Sequence, residues 1–193
     1  EKYGVPVAEG GRSFYTRNDG LQSHSVLYWA DGADGEPKVL LDPNTLSEDG
    51  TVSLADWTVS EDGTHLAYAL SDGGSDWRTV HVRNVDTGED LANSLTWVKF
   101  SGLSWAADGS GFYYSRYPEP EDPLEQVNLN QQLWFHPLGV AQADDRLVYA
   151  REDQPTWGFG GQVTDDGGLL VVHVWEGTEE KNRVYTQDLT SPD

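Results

Sequence analysis

Apolar and polar positions along this chain alternate in short runs with a period of two. Ser25-Val26-Leu27-Tyr28-Trp29, Thr79-Val80-His81-Val82-Arg83, Gln132-Leu133-Trp134-Phe135-His136 and Arg183-Val184-Tyr185-Thr186 show the pattern. Between the runs lie Asp-Gly, Asn-Asp-Gly and Gly-Gly turns. Successive side chains of a strand point to opposite faces, so such runs, punctuated at regular spacing, predict an all-β chain of antiparallel strands. Asp-Gly suits a tight hairpin because both residues reach positive φ at little cost. The 3.6-residue period of an amphipathic helix is nearly absent.

A longer repeat overlies the alternation. Four hairpins align on their glycines: Glu9-Gly10-Gly11 to Tyr15, Glu61-Asp62-Gly63 to Tyr68, Ala107-Asp108-Gly109 to Tyr114, and Asp165-Asp166-Gly167 to Val172. Gly11, Gly63, Gly109 and Gly167 follow one another at 52, 46 and 58 residues, and the longest interval holds the Pro-rich insert Pro118–Pro123. The runs quoted above supply a third strand to each unit. Lys38-Val39-Leu40-Leu41, a weak stretch near Leu91-Ala92-Asn93, and Arg146-Leu147-Val148-Tyr149 supply a fourth strand to the first three. Trp57–Ser60, Gly102–Trp105 and Gln162–Thr164 are the expected innermost strands. A period of about 50 residues with four strands per unit is the signature of a β-propeller, whose rings close at about 4–8 blades. The expected units are 1–50, 51–96, 97–155 and 156–193, together a single partial propeller of three and a half to four blades. The fourth unit has no fourth strand in the sequence, which reads as an excerpt of a larger ring. An open arc exposes a blade face and predicts self-association of an isolated segment.

Composition narrows the partners. The chain has 193 residues, eight Trp, no Cys, and 33 acidic against 12 basic side chains, for a formal charge of −21. Nucleic acid and anionic membrane surfaces both recruit Lys and Arg, so neither is an expected partner. No apolar run approaches the ~18 residues of a membrane span. The opening Glu1-Lys2-Tyr3-Gly4 does not read as a secretory leader, which says little for an excerpt; the expected compartment is the cytoplasm, with the periplasm as the alternative. The acidic residues are spread along the whole chain, which reads as the solvated coat of a halophilic protein working in high salt.

Candidate chemistry is sparse. Gly102-Leu103-Ser104-Trp105-Ala106 approximates a serine elbow but lies in a strand with no helix after it, and Asp108-Gly109-Ser110-Gly111 is a hairpin turn. His24, His65, His81, His136 and His173 show no metal-site spacing and read as surface or half-buried histidines, all but His24 in strands. Asp31–Gly35 and Ser47–Gly50 lack the oxygen ligands of a calcium loop. No glycine-rich phosphate loop precedes a helix and there is no thiolate, so no cofactor and no metal is expected. Most Trp and Tyr residues read as packing between blades.

Several stretches resemble the propeller of the prolyl oligopeptidase family of serine peptidases. They are Arg12–Gln22, Val39-Leu40-Leu41-Asp42-Pro43-Asn44 with Ser47–Val52, Ser60–Gly63 through Ala67-Tyr68, Gly74-Ser75-Asp76-Trp77, Val98-Lys99-Phe100-Ser101, Leu138-Gly139 and Trp157. The resemblance runs over essentially the whole chain. It implies a seven-bladed propeller joined to an α/β-hydrolase domain of the same parent chain. That domain holds the Ser-Asp-His triad, outside the part matched here, and cleaves short peptides after proline; the propeller gates access and lends side chains to the substrate pocket. Phe100 matches an aromatic that lines the pocket for the residue two before the proline. Gly158 falls where animal-type relatives have a bulky Met, Thr178 where they have Cys, and Trp175 where they have Arg, which implies a differently shaped outer pocket. The chain alone is then expected to be inactive. A stand-alone propeller that binds a protein partner is the alternative, as is the propeller of a gated peptidase of the oligopeptidase B or acylaminoacyl peptidase type.

Overall fold

The computed structural model describes residues 1–122 and 128–191. Pro123, the end of the Pro-rich insert, lies outside them. Among the described residues, sixteen strands build antiparallel sheets, with two short 3₁₀ turns at Pro43–Thr45 and Gln142–Asp144. In the first blade β1 (Lys2–Tyr3) and β2 (Val7–Glu9) both pair with β3 (Arg12–Asn18), followed by β4 (Val26–Asp31) and β5 (Lys38–Leu41). The second runs β6 (Ser53–Val59), β7 (His65–Ser71), β8 (Arg78–Asn84), β9 (Leu95–Val98). The third runs β10 (Ser104–Trp105), β11 (Gly111–Arg116), β12 (Gln132–Pro137), β13 (Arg146–Tyr149). The fourth has three strands, β14 (Trp157–Val163), β15 (Leu169–Glu176) and β16 (Arg183–Asp188). A single pairing, Arg116 with Val98, fuses the second and third blades into one sheet. The fold is a partial β-propeller.

Period-two alternation does the packing. On β7, Leu66 and Tyr68 face the first blade with Phe14, Leu27 and Leu41, while Ala67 and Ala69 face the third with Phe112 and Tyr114. On β11, Phe112 and Tyr114 face back to the second blade and Tyr113 faces forward to Phe159, Leu170 and Val174 of the fourth. Each central strand therefore serves two cores at once. Burying such a side chain contributes about 1.5–3 kcal/mol, so every interface is strongly favoured.

Hydrogen bonds cross the same interfaces. Arg12 donates to the Gly63 carbonyl at 2.9 Å and Arg83 to Leu40 at 2.7 Å, joining the first two blades. Trp105 Nε1 donates to Thr58 at 3.2 Å, joining the second and third. The amide of Val163 donates to Ser104 Oγ at 2.9 Å, joining the third and fourth. Ser104, the middle of the serine-elbow lookalike, is thereby occupied as a structural acceptor.

The blades run in step, so one end of the stack gathers the tight hairpin turns at Gly10, Gly63, Gly109 and Gly167. A Cβ on Gly10 would lie 2.0 Å from the Asp62 carbonyl oxygen, and one on Gly167 would lie 2.6 Å from Ala107 Cβ, so these turns pack side by side. The opposite end gathers the longer connections, including residues 72–77, 99–103, 117–122, 128–131, 150–156 and 177–182. We call these the turn end and the loop end.

Two expectations need correction. The weak fourth strand of the second unit is Leu95–Val98, not 91–93. Asp90 is drawn to Arg83, which it bridges, and Asn93 donates its side-chain amide to the Val140 carbonyl. Leu95 and Val98, both buried, take the strand positions instead. His136 is not a surface or half-buried residue. It is buried against Phe112, and the burial is tolerated because Asp145 meets its Nδ1 at 2.6 Å while Tyr114 donates to the same carboxylate.

Candidate functional site

The loop end of blades two to four holds a side chain that no core explains. Phe100 is 47% exposed and belongs to none of the three buried clusters. Its φ is 53°, in the left-handed region that a bulky L-residue rarely occupies. Such strain persists only where surrounding structure over-determines it.

That surrounding structure is polar and buried. Gln131, 1% exposed and immediately before β12, donates its amide to the Lys99 carbonyl at 2.8 Å. Its Oε1 accepts the Phe159 amide of β14 at 2.7 Å. Ser101 Oγ accepts the Ser115 amide at 2.7 Å, and Ser115 Oγ donates to the Phe159 carbonyl at 2.6 Å. The 99–101 loop is thus tied through β11 and β12 to both backbone groups of one residue in the fourth blade. Buried polar groups that are fully paired rigidify their surroundings, and losing one partner leaves a costly orphan.

Phe159 follows Gly158, and Gly158 pairs across the sheet with Trp175. A Cβ on Gly158 would stand 2.3 Å from Trp175 Cε2, and one on Gly160 would stand 3.5 Å from the same indole. The Trp175 ring therefore lies over this glycine strand, and the two identities depend on each other. Bulk missing at 158 is present at 175. Thr178 is exposed in the turn after β15, beside Gly177 at φ 51°. The structure links Phe100, Gly158 and Trp175 through Gln131 and Phe159, whereas Thr178 is exposed in the turn at the same end.

Residues missed by sequence reasoning flank Phe100. Lys99 places its ammonium 5.2 Å from the Phe100 ring centroid and 5.1 Å from that of Trp77, with Asp76 at 3.7 Å. Trp77 meets Trp97 edge-on at 5.9 Å and Tyr117 at 6.0 Å. Gln131 carries no motif, and its role follows only from what lies across the blade interface.

The turn end is acidic. Glu9, Glu61 and Asp165 line a cleft between the inner strands together with Thr58, Val59 and Trp105. Burial, then the neighbouring charges of Glu61 and Asp165, holds the Glu9 carboxyl above its usual range. Among the described residues no group of three or more His, Asp or Glu is arranged to hold a metal ion. Nor does any serine hydroxyl among them bond a histidine ring; the buried His136–Asp145 pair carries Tyr114 instead.

Fold and site define a β-propeller segment whose loop end presents a rigidly held aromatic and which, among the described residues, holds no catalytic triad. The family profile described as the prolyl oligopeptidase N-terminal β-propeller domain matches residues 1–193, and the chain belongs to that family. The chain is 40% identical over 191 residues to a prolyl endopeptidase of Elizabethkingia meningoseptica, covering 98% of this chain and 27% of the relative. It is 32% identical over 216 residues to prolyl oligopeptidase A of Amanita bisporigera, covering 97% and 28%. Among solved structures, one from a study of two prolyl endopeptidases superposes with a TM-score of 0.88 at 40% identity, covering 97% of this chain and 26% of that one. Prolyl oligopeptidase B of Galerina marginata, bound to a 35mer hydrolysis and macrocyclization substrate, superposes with a TM-score of 0.88 at 30% identity, covering 97% and 29%. The chain thus spans little more than a quarter of the length of these relatives.

Proposed function

We propose that this chain is the part of a proline-specific serine oligopeptidase that walls and gates the substrate chamber. The observation that carries the reading is Phe100, an exposed aromatic held in a left-handed backbone by a fully paired buried network. A ring fixed in this way offers a peptide side chain a contact whose ordering cost is already met. Phe100 meets the residue two before the proline, and Gly158, Trp175 and Thr178 shape the outer side of that pocket. The indole of Trp175 over Gly158 makes that side broad and flat, suited to an apolar residue.

The partners are short proline-containing peptides and an α/β-hydrolase domain of the same parent chain. That domain supplies the serine nucleophile, its base and the acyl-transfer chemistry. Among the described residues no helix is long and apolar enough to cross a membrane. The enzyme works in the cytoplasm, in high salt that screens the charge of −21. Its melting temperature is then expected to rise between low and molar KCl, and a flat response removes the halophilic part of the reading.

Hydrolysis of proline chromogenic peptides tests the rest. The longer polypeptide carrying this segment is expected to cleave them, and the pure 193-residue chain is expected not to. Turnover by the chain alone, or cleavage by the longer polypeptide with no preference for proline, overturns the reading.

A further inference from the structure

A second groove opens at the loop end beside Phe100. Its volume is about 420 Å³, and Val52, Leu70, Trp77, Arg78, Thr96 and Trp97 line it. It sits where β8 and β9 lose register. Arg78 opposes Val98 and Val80 opposes Leu95, so Thr96 and Trp97 share the space opposite Thr79 as a β-bulge. Bulges of this kind favour glycine at the left-handed position. Here that position is Trp97, at φ 60°. Stability alone selects against a tryptophan in such a backbone. The bulge turns the indole edge-on to Trp77, with the rings perpendicular at 89°.

The groove lies beside Phe100 through Lys99. The Lys99 ammonium lies 5.1 Å from the Trp77 ring and 5.2 Å from the Phe100 ring, so one cation separates the two surfaces. Asp72 and Arg78 both line the groove, so its own charges offset each other, and the chain's overall charge of −21 disfavours an acidic occupant.

We propose that this groove is a second peptide subsite, which takes an aromatic or large aliphatic side chain of the peptide, upstream of the residue that Phe100 meets. The inference rests on the substrate-chamber reading above. It requires a peptide long enough to pass Phe100, and the Galerina marginata relative is bound to a 35mer. Trp97 is the specificity-determining residue, and its strained backbone is the cost of aiming the indole. Two rigid perpendicular rings accept an apolar side chain with little loss of their own freedom.

The test uses the full-length polypeptide and a Gly-Pro chromogenic substrate extended upstream by residues bearing Phe, Gly or Asp. The Phe extension is expected to exceed the Gly extension about tenfold in kcat/KM, through KM, and the Asp extension to fall below it. In Trp97→Gly the Phe-to-Gly ratio should collapse to about one, while the melting temperature holds or rises. Trp97→Asn, which also tolerates the left-handed region, serves as a second variant with the same expectation. A ratio near one in the parent protein overturns the proposal. So does a variant that melts lower, slows all substrates alike and keeps the ratio, because that is a packing residue. If no Gly-Pro substrate is cleaved, the chamber reading has failed. Tryptophan-fluorescence titration of the 193-residue chain with the Phe and Asp peptides then decides the groove: binding of Phe alone supports it, and equal or no binding ends it.

Discussion

The two ends of the blade stack use the same backbone region in opposite ways. At the turn end, left-handed backbone falls on glycine: Gly10, Gly11, Gly63, Gly109 and Gly167 all have positive φ. At the loop end it also falls on Trp97, Phe100 and Asn130, which are all the non-glycine residues with positive φ among the described residues. Glycine accepts that conformation without a clash, whereas a bulky residue must be held in it. One end is relaxed and packs turn against turn. The other is strained and presents aromatic side chains. The difference separates the part of the molecule that only has to fold from the part proposed to meet a ligand.

The largest effect is expected where relaxed packing is broken. Gly10→Ala puts a Cβ 2.0 Å from the Asp62 carbonyl oxygen at φ 56°. Left-handed strain and overpacking together should cost about 3 kcal/mol, read as a fall in denaturation midpoint. A cost near zero means that the first two turns do not touch.

Next comes the network that holds the strained end. Gln131→Ala orphans the Phe159 amide and the Lys99 carbonyl. It should cost about 2 kcal/mol of stability and, on the proposed reading of Gln131 as a positioning residue, raise KM for proline peptides in the full-length polypeptide. An unchanged KM detaches Gln131 from the site.

The smallest effect concerns charge at the turn end. The Glu9 carboxyl titrates above its ordinary value of 4.5 because of burial and then of Glu61 and Asp165. A carboxylate with a raised folded value is fully tolerated below about pH 4.5 and weakens the fold as pH rises through the folded value. Glu9→Gln should therefore gain a few tenths of a kcal/mol at pH 7 and nothing at pH 4, the gain being small because the site is mostly hydrated. A gain that persists at pH 4 contradicts the charge explanation.

Much of this architecture was legible in the sequence. The hairpin glycines and the period-two runs fix the blades, because φ sign and face alternation are local properties. β9 was misplaced because its position depends on Arg83 capturing Asp90 and on Leu95 and Val98 filling an inter-blade core. Phe100 was found through resemblance, but the bulge at Trp97 and the reach of Gln131 depend on register and on a neighbouring blade. Neither leaves a local mark. Likewise, departures at Gly158 and Trp175 read separately along the sequence, and only the cross-strand pairing shows that one fills the other's space.

The central claim is that strain at the loop end serves the substrate. Phe100→Gly in the full-length polypeptide tests it most directly, with melting temperature and kcat/KM for a short proline peptide measured together. Glycine accepts φ 53° and the lost side chain is 47% exposed, so melting should hold or rise. At the same time kcat/KM should fall about tenfold. A lower melting temperature with unchanged kcat/KM would contradict the account, and would make Phe100 a residue of the fold rather than of the chamber.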